Sequence, residues 1–225
     1  MKVVTVGGEK GGGGKSTICV NLAAMHARRG FDVKLLNLDS QPTAQFWSSL
    51  RKDHEPALPA VPCTALQGSK IHVEIRDEAN RYDTVFIDTG GRDSVELRAA
   101  LTVSDAVILP MEAKNFTAWT MDKLREVILA ASAVNPNLLV GVVLTRVLGS
   151  SKDREVGRMR EFMADYPEMP LMNTVLVMRN AYDDAAGQGM CIEDMPTSGP
   201  GPRRDLKAYT EISNLYDEVF HASDH

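Results

Sequence analysis

Cysteine is scarce in this chain, basic residues are in deficit and long apolar runs are missing; each shortage excludes a class of protein. The three cysteines, Cys19, Cys63 and Cys191, are odd in number and far apart in 225 residues. They form neither a disulfide framework nor a zinc motif, so a reducing cytoplasm fits. The histidines His26, His54, His72, His221 and His225 lack metal-ligand spacing and read as surface or partly packed residues. No apolar run approaches the length of a membrane span, and no signal peptide precedes the first strand. Internal repeats, heptads and low-complexity tracts are absent as well. Acidic residues outnumber basic ones by 30 to 25, a net charge of −5, so any contact with nucleic acid would rest on local patches rather than on the sum.

Glycine is concentrated near the amino terminus, in Gly7-Gly8-Glu9-Lys10-Gly11-Gly12-Gly13-Gly14-Lys15-Ser16-Thr17. The ordinary phosphate loop G-x-x-x-x-G-K-[ST] would need glycine where Glu9 stands; the string K-G-G-x-G-K-[ST] fits from Lys10 to Ser16. A β-branched strand, Lys2 to Val6, precedes the loop. The stripe Ile18, Leu22 and Met25 predicts a helix after it. Glycines between them let backbone N–H groups turn towards a polyphosphate, and the helix N-terminus adds its own donors. Lys15 is then placed against the β and γ phosphates, with the Ser16 hydroxyl a magnesium ligand. A second lysine, Lys10, would repel Lys15 inside the same cradle. It is expected to point outward to the nucleotide of a facing subunit, as in an ATP-sandwich dimer.

Two further strands end in aspartate. One runs from Val33 to Asp39 and is followed by Ser40-Gln41-Pro42; the other is Tyr82 to Asp88, followed by Thr89-Gly90-Gly91. Apolar strands at Ala106 to Pro110 and Leu138 to Thr145 alternate with helices at Phe116 to Val134 and Asp153 to Ala164. The alternation predicts a single α/β domain: a doubly wound, mainly parallel sheet flanked by helices. In such sheets ligands bind beyond the carboxyl ends of the strands, where the glycine loop, Asp39 and Asp88 all fall.

Lys10 to Thr17, with Asn21-Leu22-Ala23 after it, resembles the deviant Walker A motif of the ParA/MinD ATPases, a subgroup of the P-loop NTPases. The resemblance implies bound ATP and Mg2+, with Gly11, Gly12, Gly13, Gly14, Lys15, Ser16 and Thr17 around the phosphates and Lys10, Lys15 and Asp39 as the catalytic set. Asn37-Leu38-Asp39-Ser40-Gln41 is similar to the D-x-D-x-Q switch I segment, whose second aspartate, Asp39 here, orients the attacking water. Asn37 stands where an aspartate is usual; it keeps a carbonyl acceptor and loses a charge. Asp88 matches the Walker B aspartate that holds a magnesium-bound water, so Ser16, Asp39 and Asp88 make up the implied metal site. Gly90 and Gly91 resemble switch II, and Thr145-Arg146 matches where relatives contact adenine. Val175 to Met178, with Arg179 and Asn180, approaches the same pocket.

Within that group the surroundings of the site favour one branch. A MinD-like protein should end in a basic amphipathic helix on a membrane, but Glu211 to Phe220 is amphipathic and acidic, and is expected to pack on the domain. An iron-protein-like reductase needs cluster cysteines after Asp88, and none occurs before Cys191. The ParA-like branch remains. It implies an ATPase that dimerises with ATP, binds DNA without sequence readout and partitions plasmid or chromosomal DNA, its weak hydrolysis stimulated by a ParB-type partner. The implied setting is cytoplasmic and nucleoid-associated, with no membrane contact, in one domain over 1–225 that lacks an N-terminal helix-turn-helix extension. Candidate DNA contacts are Lys152, Arg154 and Arg158 with Arg146 and Arg160, then Arg179, then Arg203 and Arg204 opening the last helix. Two alternatives stay open: the same switch positioning a protein cargo such as a carboxysome or chemotaxis cluster, and a metabolic ATP-dependent ligase of the same fold.

Overall fold

The computed structural model describes residues 1–8, 12–68, 70–91, 93–113 and 118–221. Among them seven parallel strands form one sheet: β1 (Val3–Val6), β2 (Val33–Asn37), β3 (Cys63–Ala65), β4 (Thr84–Asp88), β5 (Ala106–Glu112), β6 (Leu139–Val147) and β7 (Leu171–Val177). Their order is β3-β2-β4-β1-β5-β6-β7. The chain winds outward from β1 to one edge and then, from β4, to the other. The carboxyl ends of β1, β2 and β4 therefore meet at the reversal, in register at Val6, Asn37 and Asp88. β1, β2 and β4 are buried throughout, which is why they read as continuous apolar runs rather than alternating ones.

Helices cover both faces. α1 (Lys15–Arg28), α2 (Thr43–Lys52), α7 (Asn180–Ala186) and α8 (Leu206–Phe220) share one core with β1, β2 and β4. On the other face, α3 (Ile71–Arg81) and α4 (Val95–Leu101) pack over β1, β2 and β4. α5 (Ala118–Val134) and α6 (Lys152–Met163) pack there over β5 and β6. α1 is apolar around most of its circumference because α7 and α8 cover the side turned away from the sheet.

The acidic last helix packs on the domain as expected, and its acids have a structural use. Ala208, Ile212, Leu215, Tyr216 and Val219 are buried; an Ile or Leu buried in this way contributes about 1.5–3 kcal/mol over exposure. Glu218 accepts from the amides of Asn173 (2.6 Å) and Thr174 (2.9 Å), and Glu211 from that of Val177 (3.1 Å). These carboxylates occupy the edge of β7, so the last strand does not offer bare N–H groups to another chain.

Several expectations shift. β2 stops at Asn37 rather than Asp39, because the chain turns where Asn37 binds its successors. α8 begins at Leu206, capped by the Asp205 carboxylate on the amides of Lys207 (2.8 Å) and Ala208 (3.1 Å), so Arg203 and Arg204 lie before it. Phe116 lies outside the described residues. His26 is neither surface nor partly packed: it is 4% exposed, stacks on Phe31 and Phe220, and places its ring nitrogens against Tyr216 Oη (2.6 Å) and Thr84 Oγ1 (3.1 Å). Burial, then the charges of Arg29 and the amino terminus, lower its pKa to about 4 against a weaker pull from Asp83, which keeps the ring neutral. The cysteines are free, with Cys19 and Cys191 buried.

Candidate nucleotide site

The loop after β1 is shaped by what a side chain would strike. A Cβ on Gly7 would stand 2.8 Å from Leu97 Cδ1, and Gly12 and Gly14 adopt φ of 86° and 87°, the left-handed region that glycine enters without strain. The end of β6 grips the loop from beneath: Thr145 Oγ1 donates to Gly13 O (2.9 Å) and Arg146 Nη1 to Gly12 O (2.8 Å). In a trans peptide the carbonyl and the following N–H point in opposite directions. The N–H groups of Gly13 and Gly14 are thereby turned away from β6, as an anion cradle requires. The Thr145 hydroxyl proton is given to the loop, and Thr145 and Arg146 also line a narrow cavity with Leu176, Tyr182 and Asp183. Arg146 also pairs with Glu112 (3.4 Å) and adopts φ 52°.

A wider polar cleft of about 1170 Å³ is lined by Gly12, Gly14, Lys15, Ser16, Thr17 and Asp39, together with Gly90 and Gly91. These residues meet there because three strand ends converge. Lys15 is the first residue of α1 and is 7% exposed. Burial lowers its pKa, while the carboxylates of Asp88 and Asp39 work against that and favour the ammonium. Asp39 Oδ1 accepts from the Gln41 amide (3.1 Å) and the Ser40 hydroxyl (3.4 Å). A Cβ on Gly90 would touch that oxygen at 3.6 Å, so switch II approaches Asp39 through a residue with no side chain.

Asp88 is 1% exposed, and neither carboxylate oxygen has a hydrogen-bond partner among the described residues. Burial raises its pKa to about 7; Ser16 and Lys15 pull it down, and Asp39 adds to the rise. Ser16 is thus near enough to stabilise the charge, though no hydrogen bond of ordinary geometry closes. A buried carboxylate facing a second carboxylate and a hydroxyl is an oxygen donor set for a hard divalent cation. Magnesium bound beside phosphates needs only one or two carboxylates, so the residues present fit it. Lys10 and Gly11 lie outside the described residues.

The basic candidates divide into two groups. Lys152, Arg154, Arg158 and Arg160 on α6 are exposed, as is Arg203; Arg158 also donates to Ala113 O (2.6 Å). Arg179 and Arg204 are engaged by neighbouring groups. Arg179 is held by Glu211 (2.7 Å) and Asp205 (3.6 Å), and Arg204 donates to Glu193 O and lies over the Tyr209 ring. Two further residues complete the frame: Asn21, which the sequence offers only as part of the motif, and Arg51, which it does not single out. Asn21 joins Thr17 O (2.8 Å) to the Ile192 amide (2.9 Å), and Arg51, buried on α2, pairs with Asp194 (2.7 Å). Nothing in their local sequence signals partners as distant along the chain as Ile192 and Asp194.

The model of the CobQ/CobB/MinD/ParA nucleotide binding domain matches residues 4–192. The protein IncC of Escherichia coli is 25% identical over 254 aligned residues, covering 98% of this chain and 69% of IncC. The chromosome-partitioning ATPase Soj of Thermus thermophilus is 29% identical over 177 residues, 64% of this chain and 69% of Soj. Among solved structures, a variant of Cyanothece McdA in complex with ATP superposes with a TM-score of 0.73 at 15% identity, over 99% of this chain and 96% of that one. The glycine loop held over Lys15, the strand-end carboxylates and the match over most of the chain lead to one assignment: the chain belongs to the CobQ/CobB/MinD/ParA family and is a nucleotide-binding ATPase domain of the ParA/MinD type.

Proposed function

We propose that the protein is an ATP-driven partition switch: it dimerises around ATP, binds DNA without sequence readout, and lets go after hydrolysis stimulated by a ParB-type partner. The observation that carries this reading is a buried Lys15 under the influence of two carboxylates, Asp88 and Asp39, the latter lining the same cleft as Lys15. Support for partition over other uses of the fold comes from the likeness to Soj and from an acidic α8 engaged with the domain rather than with a membrane. Among the described residues no helix is long and apolar enough to cross a membrane.

In this reading the loop amides of Gly13 and Gly14 and the Lys15 ammonium bind the β and γ phosphates, and Ser16, Asp88 and Asp39 hold Mg2+. The cation, when bound, offsets phosphate charge. Asp39 accepts a hydrogen bond from the attacking water and keeps it in line, a positioning role that a carboxylate fulfils without being a strong base. Lys10 reaches the nucleotide of the facing subunit, and Lys152, Arg154, Arg158 and Arg203 contact DNA phosphates. The domain spans 1–225 and acts at the nucleoid.

Light scattering tests the dimer. ATP is expected to double the mass of Asp39→Ala, which holds ATP unhydrolysed, and to leave Lys10→Ala monomeric. An unchanged mass for Asp39→Ala with ATP would overturn the sandwich.

A further inference from the structure

Asn37 occupies the one switch I position at which the chain departs from the D-x-D-x-Q pattern, and its surroundings are built for an amide. The side chain is 1% exposed. Its Oδ1 accepts from the Asp39 amide (3.1 Å), and its Nδ2 shares its two hydrogens among three acceptors, the carbonyls of Asp39 (3.0 Å) and Gln41 (3.0 Å) and Gln45 Oε1 (2.5 Å). One side chain thus holds both the N–H and the C=O of Asp39. The Gln41 amide, fixed in the same turn, in turn holds the Asp39 carboxylate (3.1 Å).

A carboxylate at this position could accept from the Asp39 amide but would face three acceptor oxygens with nothing to donate. It would also stand in register beside the buried Asp88, setting two carboxyl groups side by side.

We infer that Asn37 is a positioning residue for hydrolysis: its amide sets the Asp39 carboxylate before nucleotide arrives, a task that this loop cannot give to aspartate. The inference rests on the reading that Asp39 orients the water. Gln41 and Gln45 are the complementary half of the device, since their oxygens take up the donor capacity that the amide brings.

The test compares wild type, Asn37→Asp, Gln45→Ala and Asp39→Ala by steady-state hydrolysis of Mg-ATP and by amide hydrogen exchange over 37–45 without nucleotide. For the near-isosteric Asn37→Asp, exchange is expected to rise about tenfold and kcat to fall about tenfold, as for a buried hydrogen bond turned into a repulsion, with KM within about threefold. Gln45→Ala, which removes one acceptor from the half-buried first turn of α2, should move both quantities the same way by about threefold, and it carries the test if Asn37→Asp does not fold. A kcat within about twofold of wild type for Asn37→Asp, a loss of kcat without faster exchange, or a rise in KM matching the fall in kcat would each overturn the inference. Asp39→Ala separates the two claims. If it is inactive while Asn37→Asp is normal, only the role of Asn37 fails; if it hydrolyses at the wild-type rate, the reading of Asp39 fails and takes the inference with it.

Discussion

Thr145 and Gly13 stand 132 positions apart in sequence, yet the hydroxyl of one donates to the carbonyl of the other across 2.9 Å, so β6 sets the phosphate loop from below. Thr145→Val keeps the shape and removes the donor, leaving the Gly13 carbonyl with an apolar neighbour at a cost of about 1–3 kcal/mol. ATP affinity, measured by calorimetry, is expected to fall about tenfold, with a small loss of melting temperature. Unchanged affinity would mean that the loop holds its shape without β6.

Asp88 supplies a pH dependence whose sign can be worked out. Its folded pKa, about 7, lies above the ordinary carboxylate value of 3.8, so between those values the native state holds a proton that the unfolded state has lost. The Asp88 contribution to stability without metal or nucleotide therefore falls as pH rises through this window, by about 2–3 kcal/mol between pH 5 and pH 8. Because His26 has the opposite linkage, the loss is read by thermal unfolding as the pH-dependent difference between wild type and Asp88→Asn. The same proton competes with Mg2+, so the gain in ADP affinity that Mg2+ confers should shrink as pH drops below about 7.

How much of this is legible in the sequence depends on the range of the interaction. The glycine loop, Asp39 and Asp88 are local signals: a β-branched run, then a residue type that its chemistry demands, at a strand end. β3 escapes notice because three residues at an exposed edge, between Pro62 and Gln67, carry no periodicity. α7, at seven residues, is too short for a helical stripe to register. Asn37 is visible but reads as the loss of a charge, since the acceptors that make it useful, Asp39 O, Gln41 O and Gln45 Oε1, appear only once the turn has formed. His26 does not read as core because the rings and hydroxyls that enclose it come largely from α8 and β4.

His26 has the opposite linkage to Asp88. Its folded pKa, about 4, lies below the ordinary 6.5, so the unfolded state takes up the proton first and stability falls as pH drops from about 6.5 towards 4. This contribution alone removes about 2 kcal/mol at pH 5 relative to pH 7.5, against the opposite one of Asp88, so it is read as a difference between wild type and a variant. Urea unfolding at the two pH values, with His26→Gln as a less stable variant lacking this dependence, checks it. An equal slope in both proteins would assign the acid sensitivity elsewhere.

Arg154 and Arg179 should separate when each is changed to alanine. Arg154 is exposed on α6, and its loss is expected to lower the salt slope of DNA binding by about 1 with no change in melting temperature. Arg179 balances Glu211 and Asp205, so its loss should lower the melting temperature and leave the salt slope intact. Fluorescence anisotropy over a salt series, with a thermal melt of each variant, reads both.

The central claim is that nucleotide state controls DNA binding. The direct measurement is the affinity of the purified protein for a non-specific duplex at low salt with ATP, ADP or no nucleotide, for wild type, Lys10→Ala and Asp39→Ala. Tight binding with ATP alone, lost in Lys10→Ala and retained or prolonged in Asp39→Ala, is the predicted result. Binding indifferent to nucleotide, or absent under every condition, would contradict the partition switch while leaving the nucleotide site as described.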